Sequence, residues 1–285
     1  MSDIQVRGYS ERGMINSFCY EIRYSPNGLK LLRDLLGLCT FPSEKPDFTH
    51  FRSATMIIEQ SFSDFGDLDL LILLEGQCTQ AICIEAKVKT FHAKQWSLER
   101  AWSTFQSVQS NDEHHSNLFV QLYRKMRLLK KVADIDEELA ADALAKRWSL
   151  GTNKVIRNAA QALSKNCSEG WMIALVPDSK ANTHAFFESG LSSPPPGLPD
   201  WQHTHFGYLT WEEFFAHCCA HADEWPETLA NFEYNQGQIF GIPTVVWDSP
   251  TGPQRVTVKR RGPTNSRILL EDGTERLVPN TKLRE

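Results

Sequence analysis

The stretch FGDLDLLILLEGQCTQAICIEAKVKT, residues 65–90, constrains the fold more than any other part of the chain. It reads as two apolar strands joined by the polar turn EGQ. In AICIEAKVK the side chains alternate, so Ile82, Ile84, Ala86 and Val88 share one face and Cys83, Glu85 and Lys87 share the other. DLLILL, which Asp69 begins, is apolar on both faces. Such a strand belongs in a sheet covered on both sides, with Asp69 at its edge. A buried charge without a partner is very costly, so Asp69, Glu85 and Lys87 must be paired or bind a metal.

The flanking segments supply the covering layers. Ser10 and Glu11 open a helical pattern in which Ile15, Phe18, Cys19 and Ile22 recur on one stripe, and SPNG (25–28) ends it. A second helix is expected over 29–36 and a loop over 41–50. Extended segments are expected at 55–62, 69–74 and 81–89. Helical patterns follow at 95–129, 134–147 and 153–163, with the polar QSNDEHHSN as a break. GWMIALVPD (170–178) reads as a buried strand, SGLSSPPPGLPD (189–200) as a loop, and HFGYLT (205–210) as a strand. WEEFFAHCCAHADEW (211–225) reads as a helix with Thr210 as its N-cap. Strands interleaved with helices predict an α/β fold over residues 1–238.

From about Gly241 the pattern changes to short strands, at 245–247, 255–259, 267–271 and 275–278, separated by SPTG, RGPTN and EDGT turns. We expect residues 239–285 to form a small SH3- or Tudor-like β-barrel. Residues 254–285 hold eight Lys or Arg and four Asp or Glu, net +4, which leaves −9 for the rest of a chain whose total is −5. The appendage is the basic part, and the whole chain is not a basic nucleic-acid-coating protein. Seven cysteines without CxxC spacing, no apolar leader and no long apolar run predict a reduced, cytoplasmic protein with no membrane partner.

Two carboxylates converging on one point, as Asp69 and Glu85 would, suit a hard divalent cation with oxygen ligands. A nearby lysine could orient the attacking water or offset charge on a phosphate. Together they suit metal-assisted phosphodiester hydrolysis. A Glu–Lys pair on a solvated strand face is the plainer reading of the tripeptide alone. Glu11 lies on the core-facing stripe of its helix and serves either this site or the helix dipole.

The order of a helix with Glu11, strands with GDLDLLI and IEAK, then a helix resembles the PD-(D/E)xK nuclease superfamily, and so implies its restriction-endonuclease-like α-β-β-β-α-β core, a mixed central sheet flanked by helices. The resemblance covers roughly residues 9–215, and GWMIALVPD and HFGYLTWEEF look like the later strands and closing helix of bacterial and phage members. It implies that Asp69, Glu85 and the backbone carbonyl of Ala86 hold Mg²⁺ or Mn²⁺, that Lys87 serves the water or transition state, and that Glu11 completes the site. It also implies a DNA substrate, a role in defence against foreign DNA, and dimerisation, although no self-complementary patch is visible. The motif's usual proline is absent, since Leu68 precedes Asp69, and Asp67 competes with Asp69 for the metal. Lys89 shares the face of Lys87 and could contact phosphate; Gln95 and Gln121 are candidates for the glutamine that some members carry on the next helix. A catalytically silent nuclease fold that binds nucleic acid or a protein partner is the alternative, with the barrel as a partner-recruiting module.

The remaining motifs read more plainly. HCCAH (217–221) lies in a helical pattern, where Cys218 and Cys219 point about 100° apart and do not both face one ion. His114 and His115 read as exposed. In LYRKMRLLKK (122–131) the five cations read as a solvated face more than as a phosphate-lining one. Lys259, Arg260 and Arg261 read equally as an edge-strand guard against aggregation and as a nucleic-acid contact.

Overall fold

The computed structural model describes residues 6–44, 46–89, 96–108, 116–133, 150, 152–165, 169–189, 191, 205–240, 244–261, 264–270 and 274–284. Five strands form the first sheet in sequence order: β1 (Phe51–Ser61), β2 (Asp67–Gly76), β3 (Thr79–Ala86), β4 (Glu169–Val176) and β5 (Phe206–Thr210). The pairs β1–β2 and β2–β3 are antiparallel, and β3–β4 and β4–β5 are parallel. The mixed α/β sheet expected from the sequence is therefore present.

Helices cover both faces, as the doubly apolar DLLILL requires. One layer holds α1 (Ser10–Tyr24), α2 (Gly28–Gly37), α7 (Trp211–Ala220) and α8 (Pro226–Ile239), whose apolar residues pack with Leu70, Ile72, Ile82 and Ile84. The other holds α3 (Leu98–Gln106), α4 (Leu118–Ala133), α5 (Lys154–Lys165) and α6 (Lys180–Ser189), packed with Leu71, Leu73, Ala81 and Cys83. The alternation along β2 and β3 thus sorts side chains between two cores.

Local chemistry explains the boundaries. The helical pattern expected over 95–129 is two helices. Ser97 accepts the Arg100 N–H at the start of α3, and Asn117 starts α4 by accepting from Phe119 and Val120 while donating to the Ala101 carbonyl. The Thr210 cap is a full capping box with Glu213. The helix expected over 211–225 stops at Ala220, and Pro226 opens α8 from its first turn. Helices α6 and α8 were not expected from the sequence. The Glu21 carboxylate of α1 caps α8 by accepting from the N–H groups of Glu227 and Thr228 at 2.8 and 2.9 Å. No described helix is long and apolar enough to cross a membrane, and among the described residues no two cysteines are bonded to each other.

The C-terminal strands are β6 (Thr244–Ser249), β7 (Gly252–Arg261), β8 (Asn265–Leu269), β9 (Glu275–Pro279) and β10 (Leu283–Arg284). They pack around Trp247, Val256, Val258, Ile268 and Val278, a core separate from the other two. The expected barrel is not closed. The sheet order is β10-β6-β7-β8-β9, and among the described residues no ladder joins β9 to β10. The two residues of β10 pair with β6. Within β7 the ladder to β6 runs over Gly252–Thr257, and Arg260 and Arg261 pair with β8 beyond it.

Candidate functional site

The β2–β3 ladder pairs Leu70 with Ile84, so one step on, at the end away from the hairpin turn, Asp69 comes opposite Glu85. The parallel ladders set Glu85 beside Ala174 and Ala174 beside Tyr208. On β1, Glu59 falls between Ile58, opposite Leu70, and Gln60, opposite Leu68, and so lies across from Asp69. Here the carboxyl ends of the parallel strands open, the usual place for a site in an open α/β sheet.

Glu85 is fully buried. The partner that allows this is Lys125 of α4, also fully buried, with Nζ 3.5 Å from Glu85 Oε1. Lys125 Nζ donates to the Phe65 carbonyl at 2.8 Å. Neither Glu85 oxygen accepts a hydrogen bond from the described residues, an expensive condition for a buried carboxylate. Burial pushes the Glu85 carboxyl up to about 8; the Asp69 charge pushes the same way, while Lys125 and Lys87 oppose it. Burial lowers the Lys125 ammonium, against the pull of Glu85.

Asp69 is half-buried, and its Oδ2 accepts the Ala86 N–H at 2.8 Å. Asp67 is exposed at the first position of β2. Of the two aspartates, Asp69 is the one that contributes to the electrostatics of Glu85. Lys87 lies one residue past β3 and is half-buried. Its backbone is fixed on both sides: its N–H donates to Leu175 at 2.9 Å, and its carbonyl accepts from Trp211 Nε1 at 2.8 Å. Lys89, two residues on, is half-buried as well.

Glu11 is half-buried in the first turn of α1, in the helix layer over the opposite face of the sheet. Its neighbour Arg12 reaches Glu59 at 3.6 Å, which ties the start of α1 to this end of the sheet. Backbone strain gathers in the same place. The described non-glycine residues with positive φ are Ser10 (62°), Glu59 (52°) and Ser63 (54°). They lie before Glu11, across from Asp69 and in the turn that leads to β2. Such conformations cost about 1–3 kcal/mol each and concentrate at functional sites.

Sequence reasoning assigned Arg124 and Lys125 to a solvated face; both are buried. The signal was present. Leu122, Lys125, Met126 and Leu129 share one helical stripe, so Lys125 interrupts an apolar row. Gln121 is one turn before Lys125 on that side, and its Oε1 is buried without a partner among the described residues. Gln95, His114 and His115 lie outside the described residues, as do the side chains of Lys259, Arg260 and Arg261. In α7, Cys218 is buried and Cys219 exposed, pointing apart as expected. Among the described residues no group of three or more His, Cys, Asp and Glu comes together. Asp69 and Glu85 are the two carboxylates at this end of the β2–β3 ladder; two carboxylates would suit a hard cation that retains waters more than a closed zinc site.

No family model, curated protein or solved structure matches this chain.

Proposed function

We propose that this chain is a metal-dependent nuclease that hydrolyses phosphodiester bonds of nucleic acid, most readily DNA. The observation that carries the reading is Glu85: among the described residues neither oxygen of this buried carboxylate accepts a hydrogen bond, Lys125 approaches no closer than 3.5 Å, and Asp69 stands across from it. Orphaned carboxylate oxygens beside a second carboxylate fit Mg²⁺ or Mn²⁺, with Asp69, Glu85 and the Ala86 carbonyl as ligands. Such an ion, when bound, lowers the pKa of a water ligand and neutralises phosphate charge. The protein's own part is to hold both carboxylates on one end of a rigid sheet and to present the Lys87 ammonium beside them. Lys87 orients the attacking water or offsets charge on the phosphate. The first turn of α1, which carries Glu11, is tied to this end of the sheet through Arg12 and Glu59.

One observation favours a second reading, a catalytically silent nuclease fold that binds nucleic acid or a protein. Lys125 already supplies a counter-charge to Glu85 without any metal.

Incubating the protein and its Lys87→Ala variant with plasmid, linear duplex, single-stranded DNA and RNA, with Mg²⁺, Mn²⁺ or EDTA, decides between them. The nuclease reading requires metal-dependent cleavage that the variant loses. No cleavage of any substrate by the folded protein supports the silent reading. Equal cleavage by both proteins removes Lys87 from the site.

A further inference from the structure

The Glu85–Lys125 contact joins three separate elements. Lys125 comes from the interior of α4, Glu85 from the end of β3, and the carbonyl that accepts the second bond from Phe65, in the turn that launches β2. That turn is a single 3₁₀ turn, Ser63–Phe65, followed by Gly66 at φ +76°. A Cβ at position 66 would lie 3.3 Å from Lys125 Nζ, so the glycine serves both the backbone conformation and the approach of the ammonium. Three residues past Gly66, the Asp69 carboxylate holds the Ala86 N–H, next to Glu85. The chain of contacts therefore closes on itself: Lys125, Phe65, Asp69, Ala86, Glu85 and back to Lys125.

We propose that Lys125 is the positioning residue of this site: it fixes the Glu85 carboxylate and the Phe65–Asp69 turn to one another, so that the two carboxylates are assembled before a cation arrives. The metal-binding consequence rests on the nuclease reading; the positioning itself does not. Lys125 touches neither substrate nor a reacting atom in this role. It is sealed inside the protein, whereas Lys87 sits at the half-buried end of β3, and the two lysines divide the work of holding and reacting.

The test compares the full chain with its Lys125→Met variant by amide exchange without metal and by Mn²⁺ titration. Methionine keeps the length and the apolar stem and removes the charge and the donor. Exchange at Ala86 and at Gly66–Asp69 should rise at least tenfold beyond the change in the slowest core amides of β4. Mn²⁺ affinity should fall by about 10- to 100-fold, the usual cost of removing a group that orients a metal ligand. Should Lys125→Met not fold, Gly66→Ala disturbs the same closure from the turn without altering a charge, and the same local exchange is expected. A rise in exchange that is uniform across the sheet overturns the proposal, because Lys125 is then only packing. So does unchanged local exchange. Local loosening with no Mn²⁺ binding even by the unaltered protein supports the positioning role and overturns the metal reading instead.

Discussion

Glu75 and Glu85 stand at opposite ends of the same antiparallel hairpin, and their surroundings differ completely. Glu75 is exposed and accepts a 2.6 Å hydrogen bond from Ser53 Oγ on β1. Glu85 is buried, with an ammonium of α4 as counter-ion and no hydrogen-bond donor among the described residues. Helix, turn and strand converge on one end, and non-glycine backbone with positive φ gathers there. A carboxylate at the turn end is a strand-pairing detail. At the other end it costs stability, and a protein retains such a cost where the group has work to do.

The largest effect expected from this contrast is on activity. Glu85→Gln should reduce metal-dependent cleavage by about 10²-fold or more, while Glu75→Gln should leave the rate unchanged, measured on the best substrate of the incubation series. Equal losses would erase the distinction between the two ends.

The next effect is on stability and runs the other way. Replacing a buried ion pair by well-packed apolar residues of similar volume is often neutral or stabilising by about 1–4 kcal/mol. The double variant Glu85→Leu/Lys125→Met should therefore resist denaturant better than the parent. The pH dependence has a definite sign. The Glu85 carboxyl is raised from 4.5 to about 8 in the folded state, so its favourable protonated contribution is complete below pH 4.5 and is lost as pH rises through 8. The advantage of the double variant should grow between pH 5 and pH 8, followed by urea unfolding at each pH. A lower stability at all pH values would show that the pair holds the fold.

Metal addition should be felt by the parent and not by Glu85→Gln. At a concentration about 100 times Kd, Mn²⁺ should stabilise the parent by about 2.7 kcal/mol, read as a rise in Tm. Glu75→Gln should respond as the parent does. The smallest expected effect is that Glu75→Gln shifts stability by no more than about 0.5 kcal/mol, the usual range for an exposed site.

The charged end of the hairpin is legible in the sequence because strand alternation is a local rule. Period two puts Glu85 on the face of Cys83, and the ladder then brings Asp69 across from it. Thr210 and Glu213 announce the start of α7 in the same way, since a capping box is made within four residues. Helix α8 is not legible, because its amphipathic stripe is weak and its ends depend on distant groups, Glu21 of α1 among them. Barrel closure is not legible either. Turn spacing reveals strands and hairpins, whereas closure depends on whether the first and last strands meet.

The sequence by itself determined the α/β class, the two-faced burial of β2, the strand order of charges at Asp69, Glu85 and Lys87, and the separate, basic character of the last strands. Tertiary structure alone decided which cation meets Glu85. Lys87, two residues away, stays at the half-buried strand end, while Lys125, forty residues on, is sealed against it. The physical reason is that the environment of a charged side chain is set by what packs over it. The packing of α4 on β3 brings together groups that no periodicity within either segment can pair.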